Sequence, residues 1–214
     1  RRPPRSTLFP YTTLFRSLSK SEINIVKLYA YLADIQNKTE CTSDNEDLCI
    51  WQEHIRTAIV RTIMDAAYPF VLKERDTRCK GQRNQKVIVL CPKDELHELG
   101  AMMVADYFSI AGFDVTFVGP NTPWQSVLAA IHTSNPTFVA ISITNPYHIS
   151  KTRKMIEEIK AACGTKLRVI VGGRAFKNQE PDMYKKIGAD IHLKSFEEIC
   201  NLELGKSSKS EGEK

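Results

Sequence analysis

The sequence predicts an α/β protein, a doubly wound five-stranded parallel sheet preceded by a small helical bundle that caps it. Three observations carry that expectation. After residue 85, short apolar runs alternate five times with segments of helical period. Residues 18–75 are helical in pattern on either side of a polar break, and the charged, apolar-poor stretch 73–85 separates the two regions. Strands that alternate with helices form parallel sheets, because each parallel neighbour is reached by a crossover that a helix fills.

Taken in order, residues 1–17 show no helical or strand period and no acid. They lack the apolar core of a secretory signal, and are expected to be a non-native or disordered leader. The cap spans 18–76. Its first helix carries Ile23, Val26, Tyr29 and Ala30; a polar break follows over 37–47, and then a longer helix. There Ile55, Ile59, Ile63, Ala66 and Phe70 recur at spacings of four, four, three and four, which places them on one face. Pro69 predicts a kink or an end. So thin a bundle needs another surface for burial. A linker is expected at 77–85 and the sheet domain at 86–205. Its strands fall at 86–90, 114–118, 137–143, 167–171 and 189–193, and its helices near 98–111, 123–133, 149–163, 179–187 and 195–203. Phe138-Val139-Ala140-Ile141 is apolar without alternation, as a strand covered on both faces should be. The polar tail 206–214 is expected to be disordered.

Composition narrows the function classes. The chain has 214 residues and a net charge of +5, of which Arg1, Arg2, Arg5 and Arg16 supply four. The remainder offers no electrostatic footprint for nucleic acid. No apolar run reaches the ~20 residues of a membrane span, so a soluble protein is expected. Six cysteines (Cys41, Cys49, Cys79, Cys91, Cys163 and Cys200) contain no C-x-x-C pair. Reduced thiols and a cytoplasmic location are the expectation, and zinc is not.

In a doubly wound sheet, ligands bind beyond the carboxyl ends of the strands. Glu95-Leu96-His97-Glu98-Leu99-Gly100 follows the first strand. His97 offers a ring nitrogen to a metal, and Glu95 a carboxylate to orient the other nitrogen. Gly100 lets the chain turn close to a ligand. Ser142 and Thr144 lie at the end of the third strand, and Gly172-Gly173 at the end of the fourth, where two absent side chains make room for a bulky group. His148, His132 and His192 are expected at the surface, at the surface and in packing, respectively. Asn145-Pro146-Tyr147 reads as a turn beside the ligand.

Residues 86–204 resemble the cobalamin-binding domain shared by methionine synthase, corrinoid methyl carriers, coenzyme-B12 mutases and B12-dependent gene regulators. The family pattern is Asp-x-His-x-x-Gly, then Ser-x-Leu, then Gly-Gly. Here it reads Glu95-x-His97-x-x-Gly100, Ser142-x-Thr144 and Gly172-Gly173, with 27 residues between the last two pieces. Glu95 and Thr144 depart from the pattern. The resemblance implies a flavodoxin-like fold, a cobalamin cofactor of adenosyl, methyl or hydroxo form, and His97 as the lower axial ligand of cobalt, with the nucleotide tail displaced and buried in the cleft. Glu95, together with Trp51 and the pair Glu53-His54 on the cap, resembles the light-responsive or corrinoid-sensing regulators. In those a histidine in the place of His54 approaches cobalt from above. The regulators carry their cap tryptophan well before the Glu-His pair, where this chain has Thr42-Ser43-Asp44.

The resemblance implies a sensor or regulatory module acting through a homo-oligomer or a protein partner; residues 18–75 hold no DNA-binding pattern. The alternative is a carrier that moves a methyl group between methyltransferases. A metal-free nucleotide or flavin domain lacks support, since neither G-x-G-x-x-G after the first strand nor G-x-x-x-x-G-K-[ST] occurs.

Overall fold

The computed structural model describes residues 9–38, 43–78 and 83–202. The expectations for residues 1–8, the middle of the linker and the 206–214 tail lie outside them. Three helices come first: α1 (Phe9–Ser19), α2 (Ile25–Lys38) and α3 (Glu46–Arg78). Five strands follow, β1 (Lys86–Pro92), β2 (Asp114–Thr122), β3 (Phe138–Ser142), β4 (Arg168–Gly172) and β5 (Ile191–His192). Between and after them run α4 (Leu99–Ile110), α5 (Trp124–Ser134), α6 (His148–Cys163), α7 (Met183–Lys186) and α8 (Phe196–Cys200).

The sheet is parallel throughout, in the order β2-β1-β3-β4-β5. From β1 the chain winds outward to β2 and then returns to β3 on the other side. The cleft beyond the carboxyl ends of β1 and β3 is therefore the switch point at which such sheets hold ligands. Val87, Ile88, Val89 and Leu90 of β1 and the whole of β3 are buried, which explains their unbroken apolar runs.

The cap does not form a core of its own. Leu18, Tyr29, Ile63 and Val71 share one apolar cluster with Met103 and Ile110 of α4 and Phe196 of α8. The sheet domain is thus the surface on which the thin bundle leans. The Tyr29 hydroxyl donates to the Asp106 carboxylate across this junction.

Several expectations are corrected. Residues 9–17 belong to α1 rather than a disordered leader, and Phe15 stacks on Phe70 at 6.2 Å between ring centroids; the burial of Leu18 against α3 supplies what the local period does not. α3 continues through Pro69 to Arg78, into the expected linker. Ile63 is buried and Phe70 half-buried, but Ile55, Ile59 and Ala66 are exposed; the buried face runs instead through Val60, Ile63, Met64, Ala67 and Val71. The predicted helices at 179–187 and 195–203 shrink to α7 and α8, and the strand at 189–193 to two residues. Cys49 is disulfide-bonded, so the expectation of reduced thiols throughout does not hold; Cys91, Cys163 and Cys200 are free. No helix among the described residues is long and apolar enough to cross a membrane.

Candidate functional site

The loop between β1 and α4 is shaped by its neighbours before it can present anything. Asp94 takes a left-handed conformation, φ 69°, and its N–H donates to Asn121 Oδ1 at 2.9 Å. The Asn121 N–H in turn donates to the Glu95 carbonyl at 2.9 Å. The end of β2 therefore braces the loop that leaves β1.

Glu95 is fully buried, and its carboxylate is the hub of the site. Oε1 accepts the His97 backbone N–H at 3.3 Å and lies 2.5 Å from His97 Nδ1. Oε2 accepts the N–H groups of Thr144 and Asn145, each at 2.9 Å, and lies 3.1 Å from His148 Nδ1. Burial pushes the carboxyl pKa up. The Asn145 N–H, the His97 ring, the Thr144 N–H and the His148 ring outweigh it and bring the value down to about 2. Glu95 is an anion at any physiological pH.

A buried anion on Nδ1 makes that nitrogen the protonated one and leaves Nε2 with its lone pair. The His97 side chain is 56 % exposed, and among the described residues nothing bonds Nε2. Below the ring, the Cys91 thiol contacts the His97 carbonyl at 3.7 Å; burial first, then the charges of Glu95 and Glu98, push its pKa to about 12, so it is not a competing ligand.

Ser142 closes β3 beside Gly172 of β4, in register with it. Its buried hydroxyl lies 4.0 Å from where a Cβ on Gly100 would stand, so serine and glycine face one another across the cleft. Gly172 and Gly173 answer first to the protein's own backbone. A Cβ on Gly173, at φ +106°, would lie 2.4 Å from the Ile143 carbonyl oxygen, and one on Gly172 would lie 2.9 Å from that of Leu193. Thr144 enters through its N–H.

Trp51, Glu53 and His54 lie exposed on the first half of α3 and make none of these bonds. Two tethers place that half of the cap. Arg61 pairs with Glu98, next to His97, and the Arg174 guanidinium donates to Asn37 Oδ1 at 3.3 Å, linking the end of α2 to the Gly-Gly loop. His54 precedes Arg61 by seven residues, two turns or roughly 10 Å along the same helix face.

His148 is the residue that sequence reasoning misjudged. It was expected at the surface, yet its side chain is 12 % exposed and bound to Glu95. The signal that would have found it is its place as the first residue of the helix after the Ser142 loop. Asn121 positions the loop that leaves β1, and Asn145, read as a turn beside the ligand, holds the carboxylate through its N–H. His132 is exposed and His192 packs against Phe176 and Tyr184, as expected.

Among the described residues no group of three or more His, Cys, Asp or Glu side chains could hold a bare metal ion. A single braced and exposed imidazole beyond the strand ends suits a metal that a macrocycle already holds. The B12 binding domain family matches residues 85–201, more than half of the chain. The chain belongs to that family. Its cofactor is cobalamin, and the braced imidazole fits it. The chain is 24% identical over 148 residues to the HTH-type transcriptional repressor CarA of Myxococcus xanthus, which covers 69% of this chain and 44% of CarA. It thus spans less than half the length of that relative. Among solved structures, the Methanosarcina barkeri monomethylamine corrinoid protein is similar with a TM-score of 0.66 at 12% identity, over 86% of this chain and 84% of the other. A cobalamin-binding protein from Desulfitobacterium hafniense DCB-2 is similar with a TM-score of 0.52 at 16% identity, over 85% and 90%. At these identities the likeness establishes the fold, cap included.

Proposed function

We propose that this chain is a cobalamin-binding sensor or regulatory module that holds the corrinoid base-off, with His97 Nε2 as the lower axial ligand and the helical cap over the upper face. The observation that carries the reading is the buried, anionic Glu95 on His97 Nδ1, which leaves the second ring nitrogen of an exposed side chain for a ligand. When bound, the corrinoid supplies a cobalt whose upper ligand changes with chemistry or light; the protein's part is to set the lower ligand and enclose the face opposite. Ser142, Gly100 and the Gly-Gly turn would line the cleft for the displaced nucleotide tail. The two tethers favour His54 as a group that reaches the upper face, with Glu53 and Trp51 beside it. Output would pass through a protein partner or a change of oligomer, in the cytoplasm.

The sensor is preferred because the match to a repressor extends over 148 residues, longer than the cobalamin domain itself. The second reading, a corrinoid carrier for methyl transfer, draws on the shared cap and sheet of the monomethylamine corrinoid protein. The protein is to be purified with adenosyl-, methyl- and hydroxocobalamin and visible spectra recorded in dark and light, alongside His97→Ala. A base-off spectrum lost in His97→Ala, with a light-dependent change of oligomer for the adenosyl form, is the expected result. Indifference to the upper ligand, with methyl exchange when a methyltransferase is added, would favour the carrier. A colourless protein in every case would remove both.

A further inference from the structure

β2 forms one edge of the sheet. It pairs with β1, and among the described residues no strand adds to its other side. Such edges are ordinarily blunted by lysine, proline, a bulge or shortness, because open backbone groups recruit another strand. None of these protects residues 114–118: they hold no Lys or Pro, and the register shift and Pro120 come only after Phe117. The Asp114 N–H donates inward, to the Gln85 carbonyl at 3.0 Å. Backbone groups alternate sides along a strand, so those of Val115 and Phe117 point outward.

Beside this edge runs a groove of about 660 Å³, lined by Tyr68 and Arg75 of α3, Asp106 and Ser109 of α4, and the half-buried Val115 and Phe117. Its charge is divided by end. Arg61 pairs with Glu98 where α4 begins, and Arg75 lies fourteen residues, roughly 21 Å, further along α3. There it joins Arg83 and Lys86 at the start of β2, three cations against Asp76 and Asp114. Asp65 and Asp106, close enough for one charge to act on the other, lie towards the opposite end.

We propose that the β2 edge pairs antiparallel with the β2 edge of a second copy of this chain, about a two-fold axis at Thr116. Val115 of each chain then faces Phe117 of the other, and each such pair exchanges both of its outward hydrogen bonds. The side chains of these pairs are β-branched against aromatic, a favourable cross-strand combination, at the floor of the groove. The exposed Thr116 meets Thr116 of the second copy in the close, non-hydrogen-bonded position. The axis also brings the cationic end of each groove to the acidic end of the other, which favours a second copy over an unrelated strand. A two-fold contact closes on itself, so the sheet stops at two chains. The pairing is independent of the corrinoid reading.

Sedimentation velocity on the full chain at micromolar concentration should give a dimer. Val115→Pro removes one outward N–H from each edge without touching the ladder to β1, and should weaken the dimer about tenfold or more, as the loss of two hydrogen bonds predicts. Thr116→Cys places two thiols on Cα atoms about 4.5 Å apart, within disulfide range. Oxidised glutathione should link that variant into a covalent dimer, and should link neither the wild type, whose own cysteines are the control, nor Asp114→Cys, whose counterpart across the axis is Val118. A monomeric wild type would overturn the proposal, a result that needs no variant to fold. So would a dimer that Thr116→Cys does not link, one that Asp114→Cys links equally well, or one that a folded Val115→Pro leaves at full strength. Should Val115→Pro not fold, the two cysteine variants decide.

Discussion

At the scale of single residues, the site separates groups that serve the fold from groups free to serve a ligand. Glu95 does both. Its carboxyl is held from an ordinary 4.5 down to about 2, so it stabilises the native state on the order of 3 kcal/mol above pH ~4.5. Because the folded value is the depressed one, that stability is lost as pH falls from about 4.5 to about 2. Glu95→Gln should therefore melt well below the wild type at pH 7, and the gap should close towards pH 2. Thermal unfolding of both across that range is the check. The glycines split the same way. Gly173→Ala combines a left-handed φ with a backbone clash and should cost at least about 2 kcal/mol in denaturant unfolding. Gly100→Ala meets only the Ser142 hydroxyl at van der Waals distance, inside a helix, and should leave stability equal or up to ~1 kcal/mol higher. Its effect should appear as weaker corrinoid binding alone.

At the scale of elements, the junction between α2 and α4 carries a second pH signature of opposite sign. Burial raises the Asp106 pKa to about 6; the Tyr29 hydroxyl pulls it down and Asp65 of α3 pushes it up. A carboxyl with a raised folded value favours the protonated form in the docked cap, so stability falls as pH rises from about 4 to about 6. Asp106→Asn keeps an acceptor for Tyr29 without the charge, and should flatten the wild-type decline over that interval when melting temperatures are compared. The tether from α3 to the ligand loop is weaker. Arg61 is half exposed, and Arg61→Ala should cost less than about 1 kcal/mol in stability, because exposed ion pairs contribute little. The elements of the sheet were the most legible part of the sequence. Strand and helix periods are local, so β1 to β4 and α4 to α6 follow from neighbouring residues. What escaped was long-range. α1 is helical because α3 covers it, Ile55 and Ile59 are exposed because the buried face of α3 runs through Val60, Ile63, Met64, Ala67 and Val71, and His148 is internal because it bonds Glu95, fifty-three residues before it.

At the scale of the molecule, cap and sheet domain share one apolar cluster, with Met103, Ile110 and Phe196 contributed from the sheet side. An aromatic chain from Tyr29 through Tyr107 to Phe196, with centroids 5.8 and 5.3 Å apart, crosses the junction. Calorimetry should therefore find one cooperative transition rather than two. A chain beginning at residue 83 should expose those side chains and bind a hydrophobic dye in its folded state. The candidate site was legible in its separate pieces, since His97, Ser142 and the glycines sit on predicted loops. Their mutual geometry was not, because the carboxylate that joins the β1 and β3 loops does so through backbone N–H groups, which leave no mark on residue identity.

The crowding around Gly173 bears on how such a chain would age. A lineage that gave up its ligand would still be obliged to keep this glycine, because the obstacle to any other residue is the Ile143 backbone of the same chain. His97, exposed and held only from beneath, would be released at once. Paired glycines in a distant descendant would then record the architecture it inherited, and the histidine alone would tell whether the descendant still carries its cargo.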